Sequence, residues 1–184
     1  MKSFNTKAIV FSGTAVALAT ICATYLQLGR FIWANGGEIT LFSMLMICLI
    51  GNWYGPKVGI ASAVTFGILR FILQPFFIHP VQVILDYPLA FGALGLSGFF
   101  CDKKNGLLKG FIMGVLGRLF FASLSGLIFY TAYVGSLKGN LIAAWGSILY
   151  NISYIAVETV LTLIVISIPP VAKALREVKR LAVS

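Results

Sequence analysis

The hydrophobic positions of the chain form six apolar stretches that are separated by short polar connections. The stretches run approximately over residues 6–28, 39–54, 56–73, 80–100, 106–134 and 141–168. A helix needs about 20 apolar residues to cross a hydrocarbon core of ~30 Å. The second stretch is shorter than this, and we expect it to lie with little tilt or to be buried among its neighbours. The pattern predicts an all-α membrane protein with six transmembrane helices in one domain, residues 1–184.

The composition supports a membrane protein and gives it an orientation. Of the 184 residues, 59% are hydrophobic and 10% are charged, and a soluble fold of this size could not bury so much apolar surface. The net charge of +9 comes from Lys and Arg that lie mostly at the ends of the apolar stretches and in the C-terminal tail. With the N-terminus inside, ten basic residues fall on the inner side, whereas only Arg30 and Lys138 fall outside. This predicts cytoplasmic termini and argues against nucleic acid as a partner.

The residues that carry most enzymatic or metal chemistry are scarce in this chain. Cys22, Cys48 and Cys101 lie in or beside apolar stretches without metal-ligand spacing, and His79 is the only histidine. No metalloprotease, nucleophile-elbow or nucleotide-binding motif is present. We therefore predict a protein that is not an enzyme and has no metal or cofactor, with His79 ordering the start of the fourth helix.

The fourth stretch contains a carboxylate, Asp86, followed directly by Tyr87 and Pro88. An acid within a membrane span costs about 2.5–3.5 kcal/mol on insertion scales, so Asp86 is a candidate functional group. Pro88 removes a backbone donor, and we expect the helix to kink or loosen beside the acid. The small residues that follow should let another helix approach closely; they are Ala90, Gly92, Ala93, Gly95 and Gly98.

Two arginines lie within predicted spans. We expect Arg118, in the middle of the fifth stretch, to pair with Asp86 or with the dipole ends of broken helices. Arg70, near the outer end of the third stretch, is expected to reach water.

The sixth stretch carries polar residues three and four apart, which places them on one helical surface; they are Tyr150, Asn151, Tyr154 and Glu158. Asn and Glu disfavour a lipid-facing surface, so this face should turn inward. Asp86 then lies about 10 Å below the outer start of its helix, and Asn151 on the order of 15 Å below that of its own. With Tyr87, Tyr130 and the loop that carries Trp33, they predict a cavity open to the outside for a small, flat, nitrogen-rich ligand.

The first stretch has small residues four apart, in the pairs Gly13–Ala17 and Ala15–Ala19. Such pairs form a flat groove for close helix contact. The groove serves either packing within this protein or docking of a separate membrane subunit, and composition does not choose between them.

The chain resembles the thiamine-specific S components of energy-coupling factor transporters, which are six-helix vitamin-binding subunits. The most specific match is HPVQVILDYPLAFGALGLSG at residues 79–98. Supporting matches are NGGEITLFSM at 35–44, WYGPKVGI at 53–60, SGLIFY at 125–130 and SILYNISY at 147–154.

The resemblance implies roles for particular residues. Ligand-binding positions of the family fall on Trp33, Asp86, Tyr87, Arg118, Tyr130 and Asn151, and we add Trp145 and Tyr150 from the same helix as Asn151. The family's contact with a shared transmembrane coupling subunit falls on Ala15 and Ala19. The implied partners are that subunit, two ATPase subunits and a thiamine-like vitamin, in a bacterial cytoplasmic membrane.

Two positions depart from the family's ligand pocket. Ala122 stands where the family usually has a histidine, and Gly146 where it usually has a tyrosine. A relative specific for pyridoxine or a thiamine-precursor pyrimidine is therefore an alternative. Two rivals of other classes are a stand-alone transporter with a proton relay of Asp86, Arg118 and Glu158, and a structural membrane subunit without a ligand.

Overall fold

The computed structural model describes residues 6–28, 37–134 and 140–184, without the side chains of residues 130–134 and 140–144. Its helices are α1 (Thr6–Tyr25), α2 (Ser43–Tyr54), α3 (Pro56–Leu73), α4 (Pro80–Phe100), α5 (Gly106–Val134), α6 (Asn140–Ser167) and α7 (Pro169–Val183). Two short antiparallel strands, β1 (Gln27–Leu28) and β2 (Ile39–Thr40), pair between α1 and α2. Within the described residues, five helices are long and apolar enough to span a membrane: α1, α3, α4, α5 and α6. The helical membrane architecture is thus confirmed. The total of six spans, which would require the short helix α2 to be one of them, and the cytoplasmic termini stay predictions.

The helix α4 changes its winding beside Asp86, as the sequence predicts. An α-helical start at Pro80–Ile84 leads into a π-helical turn at Leu85–Leu89, which contains Pro88. A short α-helical segment follows, and Ala93–Phe100 is wound as a 3₁₀-helix. Single π-helical turns are frequent at functional sites because they redirect side chains and free backbone groups. His79 orders the start of α4 as expected, since its Nδ1 accepts a hydrogen bond from Val81 N at 3.2 Å.

Glycines bring α4 into contact with the backbone of α3. A Cβ on Gly95 would lie 2.4 Å from the backbone of Ile60, and one on Gly98 would lie 2.4 Å from Pro56 N. Real Cβ atoms do not approach other atoms so closely, and only glycine fits at these two positions. The expected close approach of another helix to α4 is confirmed, and α3 is that helix.

The short helix α2 lies in the centre of the bundle, which agrees with the expectation from its length. Ten of its 12 residues are buried. Its N-terminus is covered by the Glu158 side chain of α6, which accepts from Thr40 N at 3.1 Å and from Met44 N at 3.4 Å. A carboxylate is favourable there because unpaired N–H groups and the helix dipole both attract negative charge.

Arg70 does not reach water, contrary to the sequence expectation. Its guanidinium is buried, with 6% of the residue exposed, and forms an ion pair with the buried Glu38. Its Nη1 also donates to the carbonyl of Ala23 at 3.0 Å. The partner comes from the segment between α1 and α2, so burial with a counterion replaces hydration.

The small residues of α1 divide between two faces. Ala15 and Ala19 are 4% and 0% exposed and pack within the bundle. In this structure the groove they line is filled by the protein's own helices, and the assignment of a subunit-docking face to these two residues stays a prediction. Gly13 and Ala17 are the exposed pair, and a Cβ on Gly13 would meet nothing within 4 Å.

The amphipathic C-terminal helix α7 packs back against the bundle. The hydroxyl of Tyr54 donates to the carbonyl of Ala182 at 2.9 Å, and Lys179 Nζ donates to the carbonyl of Cys101 at 2.8 Å. These two bonds hold α7 against the C-terminal ends of α2 and α4.

Candidate ligand-binding site

Asp86 lies in the π-helical turn of α4 and is only partly buried. Its Oδ2 accepts a hydrogen bond from Gln82 Nε2 at 2.6 Å. The buried hydroxyl of Ser125 on α5 lies beside the same carboxylate. Within the described residues Asp86 has neutral neighbours and no ion pair. A carboxylate with capacity for a cation is therefore held at the depth of the π-helical turn.

Tyr87, the neighbour of Asp86, is bonded to the loop between α3 and α4. Its hydroxyl accepts from Phe76 N at 2.9 Å and donates to the carbonyl of Gln74 at 3.0 Å. The side chain of Gln74 in turn accepts from Gln27 at 3.0 Å, which ties the same loop to β1. Since the Tyr87 hydroxyl already has a donor and an acceptor, its first role here is to hold the outer loop, and its contact with a ligand stays a prediction.

Asn151 forms a buried polar group on α6. Its Oδ1 accepts from the Tyr154 hydroxyl at 2.6 Å, and its Nδ2 donates to the carbonyls of Ser147 at 3.0 Å and Ala122 at 3.4 Å. The last bond crosses to α5, where the absence of a Cβ on Gly126 lets Ser147 approach. Asn151 is thus held rigidly at the interface of α5 and α6.

Arg118 was expected to pair with Asp86 or with the dipole ends of broken helices. The pair with Asp86 does not form. The guanidinium is buried and lies over the ring of Phe91, with Cζ 4.5 Å from the ring centroid. Such a cation–π contact is electrostatically favourable. Its Nη1 is buried and lacks a hydrogen-bond acceptor among the described residues. The N–H groups of Nη1 therefore remain available to an acceptor that enters the bundle.

The residues from three helices converge around Tyr154. This side chain, 8% exposed, lies within electrostatic reach of Asp86 on α4, Arg118 on α5 and Glu158 on its own helix α6. Tyr154 is bonded directly to Asn151, and the expectation that Asp86 and Asn151 line one cavity stays a prediction. Since Glu38 and Arg70 pair with each other, the charged groups near Tyr154 are the carboxyls of Asp86 and Glu158 and the guanidinium of Arg118.

Glu158 is fully buried and satisfied by donors from the β2–α2 segment. Besides Thr40 N and Met44 N, it accepts from the hydroxyls of Thr40 at 3.0 Å and Ser43 at 3.4 Å. Four donors around one carboxylate indicate a structural junction between α6 and the N-terminus of α2.

The other predicted site residues differ in how the structure places them. The hydroxyl of Tyr150 accepts from Gly37 N at 2.8 Å, so it contacts the end of the loop that carries Trp33. Trp33 and the side chain of Tyr130 lie outside the described residues.

Trp145 is 60% exposed and lies nine residues before Tyr154, which places it on about the opposite face of α6. This exposed position does not support a place in the ligand site, and that assignment stays a prediction.

Comparison with known proteins gives the family. The sequence model of the thiamine transporter protein family (Thia_YuaJ) matches residues 9–177. The chain belongs to this family. It is 29% identical to the thiamine transporter ThiT of Bacillus subtilis, over 82% of this chain and 85% of that protein. The solved structure of ThiT from Listeria monocytogenes superposes with a TM-score of 0.57 at 20% identity, over 89% of this chain and 93% of that one, which supports the fold.

Membership of a thiamine transporter family bears on several sequence expectations. The resemblance to thiamine-specific transport proteins is confirmed, and the protein is a transporter rather than an enzyme. It is also a multi-pass membrane protein, as its apolar helices indicate. No group of three or more potential metal ligands occurs among the residues described by the structure.

Two residues that support the candidate site, Gln82 and Glu38, were not singled out from the sequence, and Tyr154 was placed on the inward face of α6 without a role at the site. Gln82 holds Asp86, Tyr154 joins Asn151 to the charged groups, and Glu38 neutralises Arg70. A signal existed for Gln82 and Tyr154, because each lies three or four residues from its partner on the same helix. For Glu38 the sequence offers no such signal, since its partner lies on another element.

Proposed function

We propose that this protein is the substrate-binding S component of an energy-coupling factor transporter that imports thiamine or a closely related ring vitamin. The observation that carries the proposal is Asp86, a carboxylate within a membrane helix that is bonded to neutral Gln82 and has no ion pair among the described residues. Thiamine combines a permanently cationic thiazolium ring with an aminopyrimidine ring. A cation of this kind would offset the cost of placing Asp86 in a membrane.

The ligand would lie between α4, α5 and α6. Asp86 would contact the positive charge or a ring nitrogen, and the unpaired N–H of Arg118 would donate to an acceptor on the ligand. Asn151 and Tyr87 would contribute hydrogen bonds after exchanging some of their internal ones, and Tyr150 would adjust with the outer loop. We further propose that Trp33 and Tyr130 stack on the ligand from the outer side.

The proposed topology has six spans in one domain, with α2 as the sixth span and both termini in the cytoplasm of a bacterial cell. Its 12 residues cover only about 18 Å, and its burial among other helices removes the need to match the bilayer thickness. The inner ends of the helices would then carry most of the basic residues.

Energy would come from a transmembrane coupling subunit and two ATPase subunits. In place of Ala15 and Ala19, we propose the exposed pair Gly13 and Ala17 as the face of α1 that contacts the coupling subunit. A proton relay of Asp86, Arg118 and Glu158 is disfavoured, because Glu158 is occupied by four donors at the α2 junction.

The proposal is tested by identifying the ligand. Mass spectrometry of small molecules released from the purified protein, followed by calorimetric titration with thiamine, pyridoxine and the thiamine-precursor pyrimidine, would rank the candidates. Preference for thiamine is the expected result. Preference for another vitamin would indicate that Ala122 and Gly146 have changed the specificity, and binding of none would refute a substrate-binding role.

Coupling requires its own measurement. Uptake into vesicles should need the coupling subunit and the ATPases. Uptake driven by a pH gradient in vesicles without an ATPase would contradict the proposed mechanism and favour a stand-alone transporter.

A further inference from the structure

An open apolar groove lies along the last two turns of α6 and ends where α7 begins. It has a volume of about 580 Å³ and is lined by Val160, Leu163, Ile164, Ser167, Ile168 and Pro169. The single polar side chain in this lining is satisfied, since the Ser167 hydroxyl donates to the carbonyl of Leu163 at 2.7 Å. The side chains of the groove therefore offer no free hydrogen-bond donor to a polar ligand.

The dimensions of the groove match one leaflet of a bilayer. From Val160 to Ile168 the helix rises about 12 Å at 1.5 Å per residue. Half of a ~30 Å hydrocarbon core is about 15 Å. An extended acyl chain that runs along the inner half of α6 would fit this length.

The helix α7, which starts at the end of the groove, separates basic from apolar residues. Ala182 is buried against the bundle, whereas Val178 and Leu181 are 37% and 58% exposed on an apolar flank. Lys173 and Arg176 are exposed on the opposite, basic side and form no ion pair among the described residues. Such a helix suits the level where acyl chains meet headgroups.

Two hydrogen bonds hold α7 against the bundle. Contacts from Tyr54 to Ala182 and from Lys179 to Cys101 hold the helix to the rest of the bundle. The basic side chains therefore lie on a helix that is held to the bundle and begins where the groove ends. Arg180 is paired with Glu177 at 2.9 Å and Lys179 is bonded to the carbonyl of Cys101, which leaves Lys173 and Arg176 as the cations of α7 without a partner among the described residues.

We propose that the angle between α6 and α7 binds an anionic phospholipid. One acyl chain lies in the groove of α6, and the headgroup phosphate is met by Lys173 and Arg176. Charge decides the class of occupant: two uncompensated cations beside an apolar groove complement a lipid that has both a hydrocarbon chain and a net negative charge. A zwitterionic lipid would fill the groove equally well but would gain less from the basic side.

Native mass spectrometry of the full-length protein tests this assignment. The protein is titrated with phosphatidylglycerol and with phosphatidylcholine of the same acyl chains. A double variant, K173Q/R176Q, removes the basic side, and its control, K103Q/K104Q, removes two exposed lysines from the connection between α4 and α5 at the same end of the bundle. A basic residue near an anionic surface contributes about fivefold in affinity, so the first variant should lose the preference for phosphatidylglycerol by about 30-fold. The control should stay within about twofold of the parent protein.

A second pair of variants tests the groove itself. Ile164→Trp fills the groove from an exposed position, and Ile112→Trp makes the same change at an exposed position of α5. Binding of both lipids should fall for the first and stay constant for the second.

Three results would overturn the proposal. The parent protein could show no preference for the anionic lipid, or the two double variants could lose it equally, which would indicate a diffuse charge effect. The third is a K173Q/R176Q protein that retains the lipid but loses vitamin uptake with the coupling module present, which would assign this face to a protein partner.

Discussion

The buried ion pair between Glu38 and Arg70 offers a prediction whose magnitude follows from the structure. Both side chains are largely buried, at 10% and 7% exposed, and Arg70 also donates to the carbonyl of Ala23 at 3.0 Å. Removing one partner of such a pair leaves an uncompensated charge and typically costs 3–5 kcal/mol. For a chain of this size, each kcal/mol corresponds to about 2–4 °C in Tm. Glu38→Gln and Arg70→Met should therefore each lower the Tm by roughly 6–20 °C.

The double variant separates pairing from simple loss of packing. In E38Q/R70M neither charge remains, so the loss of Tm should be clearly smaller than the sum of the two single losses. Thermal unfolding of the detergent-solubilised proteins, followed by intrinsic fluorescence, gives the Tm of the parent, the two single variants and the double variant, which together form a double-mutant cycle. Asp102→Asn, at an exposed acid of the α4–α5 connection, serves as the control and should leave the Tm unchanged. Additive losses, or single losses below about 2 °C, would refute a stabilising pair between these residues.

Three further predictions concern packing, docking and the ligand site. Gly95→Ala should strongly destabilise the protein in thermal unfolding, because the new Cβ would meet the α3 backbone at 2.4 Å, whereas Gly13→Ala, with nothing within 4 Å, should be neutral or stabilising. The double variant G13L/A17L should bind the vitamin like the parent protein but lose uptake in vesicles with the coupling module; unchanged uptake would remove this face of α1 as the docking surface. Trp145→Ala should leave vitamin affinity within about twofold in calorimetry, while Asn151→Ala should lower it at least about tenfold; equal losses would contradict the orientation of α6.

The sequence predicts the helices well, because their signals are local. The first helix begins at Thr6 as predicted, and the loosened winding of α4 occurs at Pro88, where the residue lacks a backbone donor. The inward face of α6 was readable from the spacing of Asn151 and Glu158. In each case the information lies within a few residues of the chain.

The errors concern partners that belong to different elements. The sequence predicts that the Arg70 side chain reaches water, because it does not reveal that Glu38 folds back onto α3 and pairs with Arg70. The sequence indicates Asp86 as a partner for Arg118, but side-chain packing places the guanidinium over Phe91 instead. The two small-residue pairs of α1 look equivalent in sequence, and only the packing of neighbouring helices decides that Ala15 faces inward.

The central claim is that Asp86 holds a cationic ring vitamin within the bundle. Calorimetric titration of thiamine into Asp86→Asn, which keeps the size of the side chain but removes its charge, tests this most directly. Loss of a charged hydrogen-bond partner costs about 1.5–3 kcal/mol, so we expect the Kd to rise about 10- to 150-fold, while Asp102→Asn binds like the parent protein. An Asp86→Asn protein that binds thiamine within about twofold of the parent would contradict the claim.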